Sequence, residues 1–137
     1  MAAWIVKSEP SEYPFSQLQQ DQRTAWTGIR NFQARNNLRQ MKVGELALFF
    51  HTGAQKAVVG IARVLTAPAP DPTAPGEDFS FVELGPVKPL VAPVPLAALK
   101  ANPITAQISI VRQGRLSVGE LTKAQLAAVL KLSKTRL

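Results

Sequence analysis

"LALFFHTGAQKAVVGIARVL", residues 46–65, is the stretch on which the fold turns. "LALFF" and "AVVGIARVL" are rich in aromatic and branched residues, and the polar turn "HTGAQK" joins them. Two such runs at that separation read as a β-hairpin. Gly60, inside the second run, marks a bulge or a close backbone approach.

Upstream, "WIVKSEP" (4–10) opens with the apolar run Trp4 to Val6 and stops at Pro10, a short buried strand with polar residues at its end. "PFSQLQQD" (14–21) reads as one helical turn. In "NFQARNNLRQM" (31–41), Ala34, Leu38 and Met41 fall at i, i+4 and i+7, which predicts a helix with one apolar stripe. Asn31 is suited to cap it through its amide oxygen, and Gly44 breaks the pattern. Downstream, "APAPDPTAPGED" (67–78) is a loop, too short to separate two domains, and "FSFVEL" (79–84) is a strand. "PVKPLVAPVPLAALK" (86–100) reads as Pro-punctuated edge or extended chain ending in a short helix. "QISIVRQGRLSV" (107–118) predicts an alternating strand with Ile108 and Ile110 on one side. In "LTKAQLAAVLKL" (121–132), Thr122 and Gln125 form a capping box ahead of a helix whose face is Leu126, Val129 and Leu130.

The sum is five or six strands and three or four short helices without a β-α-β rhythm. An α+β domain on a small curved sheet or open barrel follows. At 137 residues the chain is expected to be a single domain, 1–137, large enough to bury a core without staples. It has no cysteine and one histidine, His51, which sets aside thiolate chemistry and makes a metal site an unfavoured expectation. Residues 1–20 hold Lys7, Glu9, Pro10, Glu12 and Pro14, so no apolar leader is expected there. No stretch approaches the about 18 apolar residues of a membrane helix. A cytoplasmic setting is expected, or a nuclear one in a eukaryote. Sixteen Lys and Arg against nine Asp and Glu give a net charge of +7, a field that attracts polyanions.

"AWTGIRNFQARNNL" (25–38) sets a tryptophan and a glycine beside two arginines and three asparagines. Either Trp26 is a core residue at a helix start, or it walls a pocket for a flat polar ligand. Three stretches bear on the choice. "WIVKSEP" (4–10), "WTGIRNFQARNNLRQMKVGE" (26–45) and "FFHTGAQKAVVGIARV" (49–64) resemble the EVE domain, and "RLSV" (115–118) is similar to that family's close. The resemblance implies a PUA-like fold, a small mixed β pseudo-barrel with short flanking helices, related to the YTH readers of methylated adenine. It implies a non-catalytic reader without cofactor or metal. The partner would be DNA or RNA bearing methylated or hydroxymethylated cytosine or methylated adenine. Association with restriction or defence enzymes is a further implication.

A pocket for one extruded base needs an aromatic wall, a few fixed donors and acceptors, and cations outside for phosphates. Trp26 is the first choice for the wall, and Gly28 lets a base approach the backbone. The Lys-Ser likeness to the methyl-adenine readers puts Ser8 at the base edge. Glu9 would accept from an exocyclic amine, while a plain turn explains the pair equally simply. Asn31 serves as cap, pocket amide or both. Phe49 and Phe50 alternate, so one is core; Phe49 is assigned to the cage, with His51 as a hydrogen-bonding member. Tyr13 reads as half-buried and structural. Lys7, Arg30, Arg35 and Arg115 are the phosphate or rim candidates, with Ser117 supporting from behind. Two alternatives stand beside this reading: a small nuclease or hydrolase using His51, Lys7 and Glu9, or a general basic RNA-binding module.

Overall fold

The computed structural model describes residues 1–137. Strands β1 (Ala3–Ser8), β2 (Thr24–Trp26), β3 (Leu46–His51), β4 (Ala57–Val64), β5 (Ala69–Pro70), β6 (Ser80–Pro95) and β7 (Val118–Leu121) are interspersed with helices α1 (Phe15–Asp21), α2 (Phe32–Arg39), α3 (Leu96–Ala101), α4 (Ser109–Arg112) and α5 (Lys123–Leu132). The sheet order is β2-β6-β4-β3-β1-β7, with β5 paired to β6. Only β1 and β3 are parallel, joined by the long excursion through α1, β2 and α2. The result is an α+β architecture in which the sheet curls into a half-barrel. The curl is visible in one contact. Trp26 lies on β2 at one edge, three strands from β3 in the order, yet its ring centroid is 5.5 Å from that of Phe49. The face carrying both rings is therefore concave.

The hairpin forms as the sequence predicts, and Gly60 shows both features expected of it. The β3–β4 register shifts between Phe49 and Phe50, and the β4–β6 register shifts between Val58 and Gly60. A Cβ on Gly60 would stand 2.6 Å from the Phe15 ring, so the glycine is the floor on which α1 docks. Gly60→Ala should therefore cost about 2–3 kcal/mol through overpacking. Urea unfolding measures it, and Phe15→Leu in the same chain should recover part of the loss; a cost under about 0.5 kcal/mol would show that the ring is free to move.

Helix α2 also matches its reading. The Asn31 side chain accepts from Ala34 N–H at 2.9 Å, and Ala34, Leu38 and Met41 are buried. Asn37 donates to Val118 O at 2.8 Å, which clips the helix to β7. The Thr122–Gln125 capping box is present at the start of α5, where Val129 is buried and Leu126 and Leu130 are half-buried. The α1 segment is longer than one turn, running seven residues.

Two expectations are corrected. The strand expected around Ile108 and Ile110 is a 3-10 turn (Thr105–Gln107) followed by α4, and the strand comes later as β7. Both isoleucines are buried, but a spacing of two over so short a run fits a tight helical turn as well as a strand. α4 sits directly on Gly119, where a Cβ would meet Ser109 Oγ at 2.1 Å. The second correction concerns "FSFVEL" and "PVKPLVAPVP", which form one sixteen-residue strand, β6. β2 pairs only with Val82 to Leu84, so the proline-rich half has an outer edge without a strand partner, where missing N–H groups are tolerated. The chain's end covers that edge: Val91 N–H donates to Thr135 Oγ1 and Ala92 N–H to Ser133 O.

Candidate nucleic-acid interface

β2 carries Trp26 to the concave face and stops there, because Gly28 follows at φ +81°, a conformation glycine adopts freely. The indole is half-buried. Tyr13 meets it edge-on at 6.3 Å and Phe49 at 5.5 Å. Trp26, Tyr13, Thr24, Ala25 and Thr27 border an open hollow of about 250 Å³. No atom lies within 4 Å of where a Gly28 side chain would begin, so the backbone there faces free space. Tyr13 is anchored from the far side, its hydroxyl donating to Asp21 at 2.9 Å. Burial, and then the Asp21 carboxylate, push the phenol above its ordinary value against a hydrogen bond with Thr24.

Behind the wall lies Phe49. It is fully buried between Phe15, Trp26 and His51, so it supports the indole and offers no open face of its own. His51 is equally committed. Its Nε2 accepts from Phe15 N–H at 3.0 Å, which places the proton on Nδ1, and that nitrogen lies 2.7 Å from the Gln55 amide oxygen. Ser8 is buried, and its hydroxyl donates to Tyr13 O at 2.5 Å, holding the Tyr13 backbone beside Trp26. The Glu9 carboxylate accepts from Thr52 Oγ1 at 3.0 Å and packs against Gly53 in the hairpin turn.

Lys7 belongs elsewhere. It pairs in register with Phe50 while Ser8 pairs with His51, so alternation sends Lys7 and Phe50 to the opposite sheet face from Phe49 and His51. His51, Lys7 and Glu9 consequently do not converge into an acid–base constellation. Arg115 is exposed and adjoins Gly114, whose carbonyl accepts from Lys7 Nζ at 2.8 Å; it does not border the hollow beside Trp26.

The rim beside Trp26 is organised by a residue absent from the candidates that the sequence suggests. Asp71, in the 67–78 loop, has a fully buried side chain. Oδ1 accepts from Thr73 N–H at 2.7 Å and Thr73 Oγ1 at 2.6 Å. Oδ2 accepts from Gly28 N–H at 2.9 Å and Arg30 Nη1 at 3.2 Å. Burial alone would raise this carboxyl; the donors from Thr73, Gly28 and Arg30 outweigh it and hold the group at about 2. "Asp-Pro-Thr" in a proline-rich loop is the only sequence sign of such an anchor. Arg30 also donates to Thr73 Oγ1 at 2.9 Å and lies 4.9 Å over the Phe79 ring. Phe79 stacks parallel to the exposed Phe32, and Arg35 lies 4.9 Å from the Phe32 ring while bonding Asp78. Arg39 pairs with Asp78 and donates to Ser80 Oγ at 2.8 Å. Arg30, which shares Asp71 with Gly28 N–H, and Arg35 thus stand in one layer of guanidinium and ring planes.

The EVE domain family model matches residues 2–132, nearly the whole chain. The chain belongs to the EVE domain family. Human thymocyte nuclear protein 1 is 31% identical over 96% of this chain and 73% of its own length. A protein of Rhodopseudomonas palustris, solved by NMR, shares 37% identity with a TM-score of 0.93 over 98% of this chain and 94% of that one. The human THYN1 protein, crystallised in complex with DNA containing 5-methylcytosine, aligns over 100% of both chains at 27% identity and a TM-score of 0.90. The YTH domain of a Zygosaccharomyces rouxii protein, solved with N6-methyladenosine RNA, shares the fold with a TM-score of 0.61 at 15% identity, over 99% of this chain and 88% of that one. This EVE domain has no helix long and apolar enough to cross a membrane, and no cluster of His, Cys, Asp and Glu arranged to hold a metal ion.

Proposed function

We propose that this protein is a non-catalytic reader of a modified nucleobase, with Trp26 as the stacking wall. The observation that carries the reading is the position of the indole: half-buried, braced by Tyr13 and Phe49, and bordering an open hollow beside a glycine with free space above it. Family membership and the THYN1 complex with 5-methylcytosine DNA support it. In this reading Ser8, Glu9 and His51 shape the pocket through Tyr13, Thr52 and Phe15. Asn31 caps α2 near the rim, and Arg30 and Arg35, each paired with an aspartate, offer guanidinium N–H donors to a phosphate backbone. The lack of a free general base at His51 favours binding over hydrolysis.

The test is competitive titration with short DNA and RNA strands carrying 5-methylcytosine, 5-hydroxymethylcytosine or N6-methyladenine, each against its unmodified twin. A buried methyl adds about 0.8 kcal/mol, so roughly a fourfold preference for one modification is expected from the methyl alone. Equal affinity for every strand and its twin would remove the reading.

A further inference from the structure

The opposite face of the sheet holds a second cavity, away from Trp26. Lys7, Lys56 and Lys100 line a cleft of about 280 Å³ whose apolar walls include Phe50, Leu96, Ile110 and Val111. All four ion pairs of the molecule are made by arginines, so none of these three ammonium groups has a carboxylate partner. Lys7 is the most confined: Nζ lies 6.0 Å from the Phe50 ring centroid and donates one hydrogen bond, to Gly114 O, leaving two N–H donors. Burial pushes its ammonium below the ordinary lysine value. A partly desolvated cation without a counter-ion is costly to keep.

Lys56 adds an independent sign. It sits at φ +44°, in the left-handed region where glycine would be unstrained, yet the turn carries a lysine. Its carbonyl accepts from Leu96 N–H at 2.8 Å, which fixes this turn to the start of α3, the helix that brings Lys100. The Glu9 carboxylate accepts from Thr52 Oγ1 and packs against Gly53, two residues of the cleft lining, so one acidic group borders the cleft without pairing with any of the three lysines.

We propose that this cleft is a second binding site, for a mononucleotide whose phosphomonoester sits among Lys7, Lys56 and Lys100 and whose base ring lies against the half-buried Leu96 and Val111. Three cations suit a monoester, which carries nearly two negative charges, better than a chain-internal diester with one. The volume, below the roughly 300 Å³ at which small-ligand pockets begin, limits the occupant to a small molecule.

Isothermal titration with AMP, adenosine and orthophosphate tests the proposal on the wild type and on Lys56→Gly, Lys100→Gln and Trp26→Ala. AMP should bind one molecule per chain, about tenfold tighter than adenosine or orthophosphate, and more weakly as salt rises. Lys56→Gly should raise Tm by relieving the positive φ and still weaken AMP about tenfold, and Lys100→Gln should weaken it similarly. Trp26→Ala should leave AMP affinity unchanged, which separates this site from the modified-base reading. No AMP binding at millimolar concentration, lysine variants that bind as the wild type does, or loss on Trp26→Ala alone would each overturn it. Orthophosphate binding as tightly as AMP would overturn the nucleotide assignment.

Discussion

Trp26→Ala is expected to weaken binding of a modified-base oligonucleotide about 30-fold, the equivalent of ~2 kcal/mol of lost stacking, and to abolish preference over the unmodified twin. The same change removes the ring against which Tyr13 and Phe49 pack edge-on, so stability should fall by about 2 kcal/mol as well. Trp26→Phe separates the two effects. It keeps an aromatic face and much of the packing, and should retain part of the affinity with most of the stability. Fluorescence anisotropy and urea unfolding on both variants give the answer. Should both read modified bases as well as the wild type, the indole is not the wall.

Asp71→Asn should destabilise the protein by about 3 kcal/mol although the side chains are almost identical in shape. All four contacts to the carboxylate come from donors, two on each oxygen. An amide has one oxygen, so its NH₂ must face either Gly28 N–H and Arg30 or Thr73 N–H, and at least one obligate donor is left unpaired in a buried site. The pH dependence has a definite sign. With the native carboxyl held at about 2 against an ordinary 3.8, its stabilising contribution is complete above pH ~4 and is lost as pH falls toward 2, a change of about 2 kcal/mol. The amide of the variant cannot titrate, so that protein should lose the Asp71 share of the acid limb and keep the share of the other depressed carboxyls, Glu45 and Asp78. Equal acid unfolding curves would show that Asp71 does not anchor the loop. Because Gly28 N–H and Arg30 are two of the four partners, loss of this anchor should also loosen the rim beside Trp26 and lower affinity for nucleic acid.

Much of the architecture is legible in local pattern. The hairpin from Leu46 to Val64, the Asn31 cap with its Ala34–Leu38–Met41 stripe, and the Thr122–Gln125 capping box are each specified by residues within a few positions of one another. Short-range spacing is enough there, since period and cap chemistry act locally. Segment 107–118 departs from its local pattern for the complementary reason. Its two isoleucines are buried where α4 docks on Gly119, a contact with another element that the spacing of the isoleucines does not encode. The β6 prolines are similar: what lets them extend one strand is an outer edge closed by C-terminal residues, Thr135 lying 44 positions beyond Val91.

Side-chain period and near neighbours along the chain are thus sufficient to specify hairpin, caps and most helices, and the motifs they form are sufficient to mark the family. Which side of the sheet each candidate occupies is a matter of the assembled fold. Curling brings Trp26 onto Phe49 across three intervening pairings, alternation sends Lys7 to the far face, and the proline-rich loop folds back so that a buried Asp71 carboxylate can hold Gly28 and Arg30. Those outcomes follow from sheet curvature and from satisfying a buried charge, and neither is a local property of the chain.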